Sequence, residues 1–114
     1  MRKIDYSVYL EHILDAIQQI EKYICDIDYE MFCQERMIHD AVLREMENVG
    51  EASRNLTKHF HEQYSEVSWS EIIGIRNKIA HQYFAIDLRI IWDTVNTDLP
   101  MLKKQVSAIL NDIK

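Results

Sequence analysis

The sequence predicts an all-α protein, an up-and-down bundle of four to five helices in a single domain over residues 1–114. Three observations lead there. Only two Gly and one Pro occur in the chain, whereas an all-β fold of this size spends many of both on tight turns. Apolar residues recur at helical spacing over long stretches. The chain has 114 residues, 47% of them hydrophobic, which is enough for one core and too few for two.

The first element is read from Tyr6, Leu10, Ile13, Ile17, Ile20, Ile24 and Ile27, which step 4-3-4-3-4-3. That stripe predicts a helix of about six turns with one buried face. Residues 26–30 break the pattern and read as a connector. A second long helix is predicted over residues 33–60, where Ile38, Val42, Met46, Val49, Ser53, Leu56 and Phe60 keep phase. Gly50 lies inside it, where Gly costs roughly 1 kcal/mol relative to Ala; a close helix crossing or chance explains it equally well. Residues 61–67 are polar and aperiodic and read as a loop.

Ser68 followed by Glu71 has the spacing of a capping box and opens a short helix carrying Trp69, Ile72, Ile73, Arg76 and Ile79, ending near His81. Asp87 is an N-cap candidate for the last helical stretch. There Leu88, Trp92, Val95, Leu99, Leu102, Val106, Ile109 and Ile113 stay in phase through Pro100. Proline has no amide to bond back to Asn96, so it kinks a continuous helix or starts a new one. The preserved phase favours a kinked continuation.

Thirteen Lys and Arg against nineteen Asp and Glu give a net charge of -6. That balance argues against a broad, sequence-blind grip on nucleic acid, which needs many cationic contacts to phosphate. A small, locally basic site remains open. Two cysteines, Cys25 and Cys33, make no disulfide framework. The first residues lack the apolar run of a secretory signal, and no stretch reaches the ~20 apolar residues that cross a bilayer. A reducing cytoplasm is the expected setting.

The chemistry concentrates in residues 74–84, which hold Arg76, Asn77, His81 and Tyr83. Arg carries a permanent charge on a planar fork of donors that suits phosphate. His is the side chain matched to proton transfer near neutral pH. On a regular helix Asn77 and His81 share a face, while Arg76 and His81 stand about 140° apart. The last two converge only if the helix ends before His81 or if a second chain supplies one of them. A site at a twofold interface satisfies that condition.

The spacing Arg-x4-His-x-Tyr, with Asn after the Arg, resembles the HEPN superfamily and, within it, the HepT-like toxins of toxin–antitoxin operons. The resemblance runs over nearly the whole chain: Gly50-Glu51-Ala52, Trp69, Arg76-Asn77, Ala80-His81-Gln82-Tyr83, Trp92 and Asp98-Leu99-Pro100. It implies a metal-independent endoribonuclease acting on RNA as a homodimer built around the motif helix, with no cofactor. Position by position it makes Arg76 and His81 the catalytic pair and Asn77 their polar companion. Tyr83 matches the tyrosine that an MNT-type nucleotidyltransferase antitoxin modifies with AMP. The alternative is a non-catalytic HEPN module that binds nucleotide or a partner protein.

Arg54, Lys58 and His61 (i, i+4, i+7) fall on one face of the predicted second helix and, with Lys78, form a weak RNA-binding candidate. A solvated charged face is the plainer explanation. His59 and His61 have no Cys or carboxylate at matching spacing, so no metal site is expected.

Overall fold

The computed structural model describes residues 5–82 and 85–113. Among them every regular element is helical: α1 (Tyr6–Tyr23), α2 (Tyr29–Gln34), α3 (Arg36–Asn55), α4 (Lys58–Gln63), α5 (Trp69–His81), α6 (Leu88–Asp93), a π-helical turn (Thr94–Asp98) and α7 (Leu99–Ile113). The four long helices α1, α3, α5 and α7 form the bundle, and the short ones cover its ends. α3 is central, packed against α1 on one flank and α5 on the other, while α7 closes on α1. No described helix is long and apolar enough to cross a membrane.

The stripes read from the sequence build the core. Leu10, Ile13, Ile17 and Ile20 of α1 meet Val42, Met46 and Val49 of α3 and Leu102, Val106 and Ile109 of α7, all buried. Each such side chain contributes about 1.5–3 kcal/mol by leaving water. Asp5 caps α1 by accepting from the Ser7 amide, and Asp87 caps α6 by accepting from the Arg89 amide at 2.9 Å. The aromatic rings of Tyr6, Tyr64 and Trp69 surround Phe60, with centroids 4.5–6.2 Å away.

Three expectations need correction. The helix expected over residues 33–60 is three helices. Asp28 accepts the Met31 amide and starts α2 earlier; Glu35 leaves the helical region, and the first turn of α3 closes on its carbonyl. At the far end Leu56 is extended, and Thr57 caps α4 by accepting from the Phe60 amide. The change of direction lets Leu56 and Phe60 both stay buried. The loop expected over 61–67 is therefore helical through Gln63.

The capping box at Ser68 does not form: its carbonyl, not its hydroxyl, takes the Glu71 and Ile72 amides. At Pro100 the expected continuity holds, with helical backbone running from α6 through the π-helical turn into α7 without a break. The missing amide is absorbed one turn earlier, where the Leu99 amide reaches back to the Thr94 carbonyl. This i→i−5 turn widens the helix while Thr94 and Leu99 keep right-handed helical backbone. The buried stripe continues through Val95, Leu99 and Leu102.

Candidate functional site

The site is organised by the crossing of α5 over α3. At Gly50 the two helices approach so closely that a Cβ there would collide with Arg76 Cβ, stand 2.8 Å from Arg76 Cγ and 3.3 Å from the Ile72 carbonyl. The glycine is thus the physical condition for the place where Arg76 sits. Trp69 and Ile79 anchor α5 in the core, and Ile72 and Ile75 lie half-buried along the same side. The Trp69 indole donates to the Tyr64 carbonyl at 3.0 Å and fixes the start of the helix.

Arg76 emerges from this contact with its side chain 24% exposed. Its Nε lies 3.2 Å from Glu51 Oε2, and its Nη1 donates to Asn77 Oδ1 at 3.2 Å. Glu51 Oε1 takes Arg54 Nη2 at 3.1 Å, so one carboxylate holds two guanidinium groups. Glu51 Oε2 is shielded from solvent and accepts no well-aligned hydrogen bond among the described residues. Its compensation is the adjacent positive charge of Arg76. Glu51 is the residue that sequence reasoning missed.

His81 contrasts with this. It is the last residue of α5, exposed, with no side-chain hydrogen bond or ion pair to a described residue. Because α5 is helical through His81, five residues at about 100° each put it about 140° from Arg76 and some 7–8 Å further along the axis. One chain does not bring the pair together. Asn77 and His81 do share a face, together with Gly74, whose position would admit a Cβ with nothing within 4 Å. The Lys78 cation in the last turn also faces the negative end of the helix dipole.

The candidate RNA-binding stripe is corrected by the break at Leu56. Arg54 ends α3 bound to Glu51, and Lys58 begins α4 exposed. His61 turns inward, stacked on Trp69 at 5.0 Å and donating from Nε2 to the Ser53 carbonyl at 2.8 Å. It joins α4 to α3 and is not offered to a phosphate. Lys78 is exposed on α5. Tyr83 lies outside the described residues. No group of three His, Cys, Asp or Glu among the described residues gathers to hold a metal.

Two grooves flank the crossing. One, a cavity of about 130 Å³, has Met46, Val49, Ile72, Ile75, Leu99 and Leu102 in its lining and includes neither Arg76 nor His81. The other runs between α1 and α3, with Glu11, Asp15, Glu45 and Glu51 along it. Four carboxylates make that groove repellent to an anionic ligand.

The family described as "Ribonuclease HepT-like" matches residues 13–109, and the chain belongs to it. The chain is 42% identical, over 93% of its length and 95% of the other, to "Putative RNase TTE0752" of Caldanaerobacter subterraneus subsp. tengcongensis. It is 38% identical to "Putative RNase MJ1380" of Methanocaldococcus jannaschii, covering 96% and 100%. It is 39% identical to "Probable ribonuclease HepT" of Thermococcus cleftensis, covering 89% and 92%. No solved structure matches.

Proposed function

We propose that the chain is a cytoplasmic endoribonuclease, the toxin of a toxin–antitoxin pair, active as a homodimer and silenced when an MNT-type nucleotidyltransferase attaches AMP to Tyr83. The reading rests on one observation: a helix unbroken through His81 keeps Arg76 and His81 apart in one chain. Two copies facing each other across a twofold axis would each lend the other its missing group.

RNA brings its own nucleophile, so proton transfer and charge stabilisation suffice for cleavage without a metal. One His81 imidazole accepts the 2′-hydroxyl proton as that oxygen bonds to phosphorus. The bond from phosphorus to the 5′-oxygen breaks, and an imidazolium returns a proton to the departing oxygen. The products are a 2′,3′-cyclic phosphate and a 5′-hydroxyl. Arg76 stabilises the charge that builds on the phosphoryl oxygens, and Asn77 orients the imidazole or holds one of those oxygens. Lys78 and Lys58, both exposed, add attraction for the RNA backbone.

Silencing follows from position in the sequence. The Tyr83 oxygen bonds to the α-phosphorus of ATP and pyrophosphate leaves. The adenylyl group adds bulk and negative charge two residues after His81, where substrate phosphate would lie.

Expression without a partner is expected to arrest growth, with RNA ends carrying cyclic phosphate. His81→Ala and Arg76→Ala should relieve the arrest, each lowering cleavage by about 10²–10⁴-fold. Tyr83→Phe should cleave normally and escape a co-expressed nucleotidyltransferase. If wild type and His81→Ala arrest growth equally, the non-catalytic binding module is the correct reading. If the partner still silences Tyr83→Phe, AMP transfer to that residue is not the mechanism.

A further inference from the structure

We infer that Glu51 is a positioning residue for the reaction proposed above: it holds the Arg76 guanidinium by its Nε side so that the remaining donors face the reacting phosphate.

An arginine side chain has about 2 kcal/mol of rotamer entropy to lose, and a catalytic guanidinium works best when that loss precedes substrate binding. Three features of the α3–α5 crossing supply the constraint. Gly50 lets Arg76 Cβ and Cγ lie directly on α3, which fixes where the side chain starts. Glu51, the next residue of α3, puts Oε2 3.2 Å from Arg76 Nε. Asn77 accepts from Nη1 at 3.2 Å. Five N–H groups are available on a guanidinium; with one given to Asn77 and the Nε side turned to the Glu51 charge, others are left to meet phosphate oxygens.

The state of the carboxylate supports the same reading. Glu51 Oε2 is shut off from solvent with no aligned hydrogen bond among the described residues. A carboxylate oxygen in that condition is costly unless a cation stays beside it. Arg76 is therefore held from both ends: its stem by the crossing, its head by a charge that needs it there. Arg54, bound to the other oxygen at 3.1 Å, stops the carboxylate from swinging away. Glu51 itself lines the acidic α1–α3 groove.

A mere helix clamp and a positioning residue differ in what Glu51→Gln changes. The substitution keeps the shape and removes one negative charge beside the site. Electrostatics alone predicts tighter RNA binding, hence a lower KM and no loss of kcat. Positioning predicts a kcat lower by about 10–100-fold with KM unchanged or lower, and partial recovery in Glu51→Asp.

The experiment measures kcat and KM on a mixed-sequence RNA oligonucleotide, with thermal unfolding as the check on fold. The Arg76 Nε–Hε NMR signal is followed in the same variants. In the wild type this signal should exchange slowly with water, and in Glu51→Gln it should exchange fast or vanish. A folded Glu51→Gln with wild-type kcat, or with an unchanged Nε–Hε signal, overturns the inference. Wild-type protein that does not cleave RNA overturns the ribonuclease reading, and this inference with it. If Glu51→Gln proves too unstable to assay, an Nε–Hε signal in the wild type that exchanges as fast as those of exposed arginines overturns it equally.

Discussion

Arg76 and His81 stand five residues apart on one helix in opposite physical situations. Arg76 is set into the α3 contact, paired with Glu51 and Asn77 and mostly covered. His81 ends the helix in solvent, with no partner among the described residues. In the proposed reaction the chain thus holds its charge-stabilising group in place and leaves its proton-transferring group open. A site split this way is preorganised where displacement is most costly and is finished by whatever covers the exposed end of α5. The proposed twofold partner is such a cover, and it would present its own guanidinium to this His81.

The sharpest way to break that picture is a mixed dimer. Arg76→Ala and His81→Ala should each be inactive alone. When the two are mixed and allowed to exchange subunits, a site shared between chains is reconstituted once per heterodimer. Random exchange makes about half the dimers heterodimers, each with one intact site of two, so about a quarter of wild-type activity should return. If both groups of a site came from one chain, mixing would restore nothing. Cleavage by the mixture, read beside the dimer fraction from sedimentation, decides between them.

The two glycines carry the comparison into stability. Gly50→Ala gains up to about 1 kcal/mol of helix propensity, yet its Cβ meets the stem of Arg76 and the Ile72 carbonyl, neither of which yields easily. Strain of this kind costs about 1–3 kcal/mol, so the melting temperature should fall and cleavage should fall with it as α5 lifts. Gly74→Ala meets nothing within 4 Å in the single chain and should stabilise it by up to about 1 kcal/mol. A partner packed closely on the Gly74–Asn77–His81 face reverses that sign in the dimer. Melting and dimer dissociation, measured for both variants, show whether the open face is covered.

Much of this was legible in the sequence because it follows from local periodicity. The stripes of α1 and α7, the Asp87 cap and the end of α5 at His81 are all written within a few turns of chain, while the interior Gly50 left a crossing and chance equally open. The breaks at Glu35 and Leu56 were not legible. No Gly or Pro stands there; they arise because His39 donates to the Phe32 carbonyl and because Phe60 has to reach the core. That misreading produced the Arg54–Lys58–His61 stripe, which the turn at Leu56 dismantles. Glu51 was invisible as a site residue for a related reason. Its role depends on Arg76, brought beside it only by the crossing, and no periodicity records a contact between distant helices.

The smallest expected effect comes from a tie remote from α5. The Tyr64 hydroxyl donates to Asp112 Oδ2 at 2.8 Å, joining the end of α4 to the end of α7. That hydrogen bond, with smaller contributions from burial and the Asp112 and Glu66 charges, raises the Tyr64 pKa above its ordinary value of 10.0. A group raised in the folded state stabilises fully below its unfolded pKa and loses that contribution as pH rises through the folded one. Tyr64→Phe should therefore lower stability by less than about 1 kcal/mol at neutral pH, and the difference from wild type should close in strong alkali. Cleavage should not change. A cleavage defect in Tyr64→Phe would mean that the geometry of Arg76 depends on the closure of the whole bundle, and the Gly50 crossing would lose its claim to set the site alone.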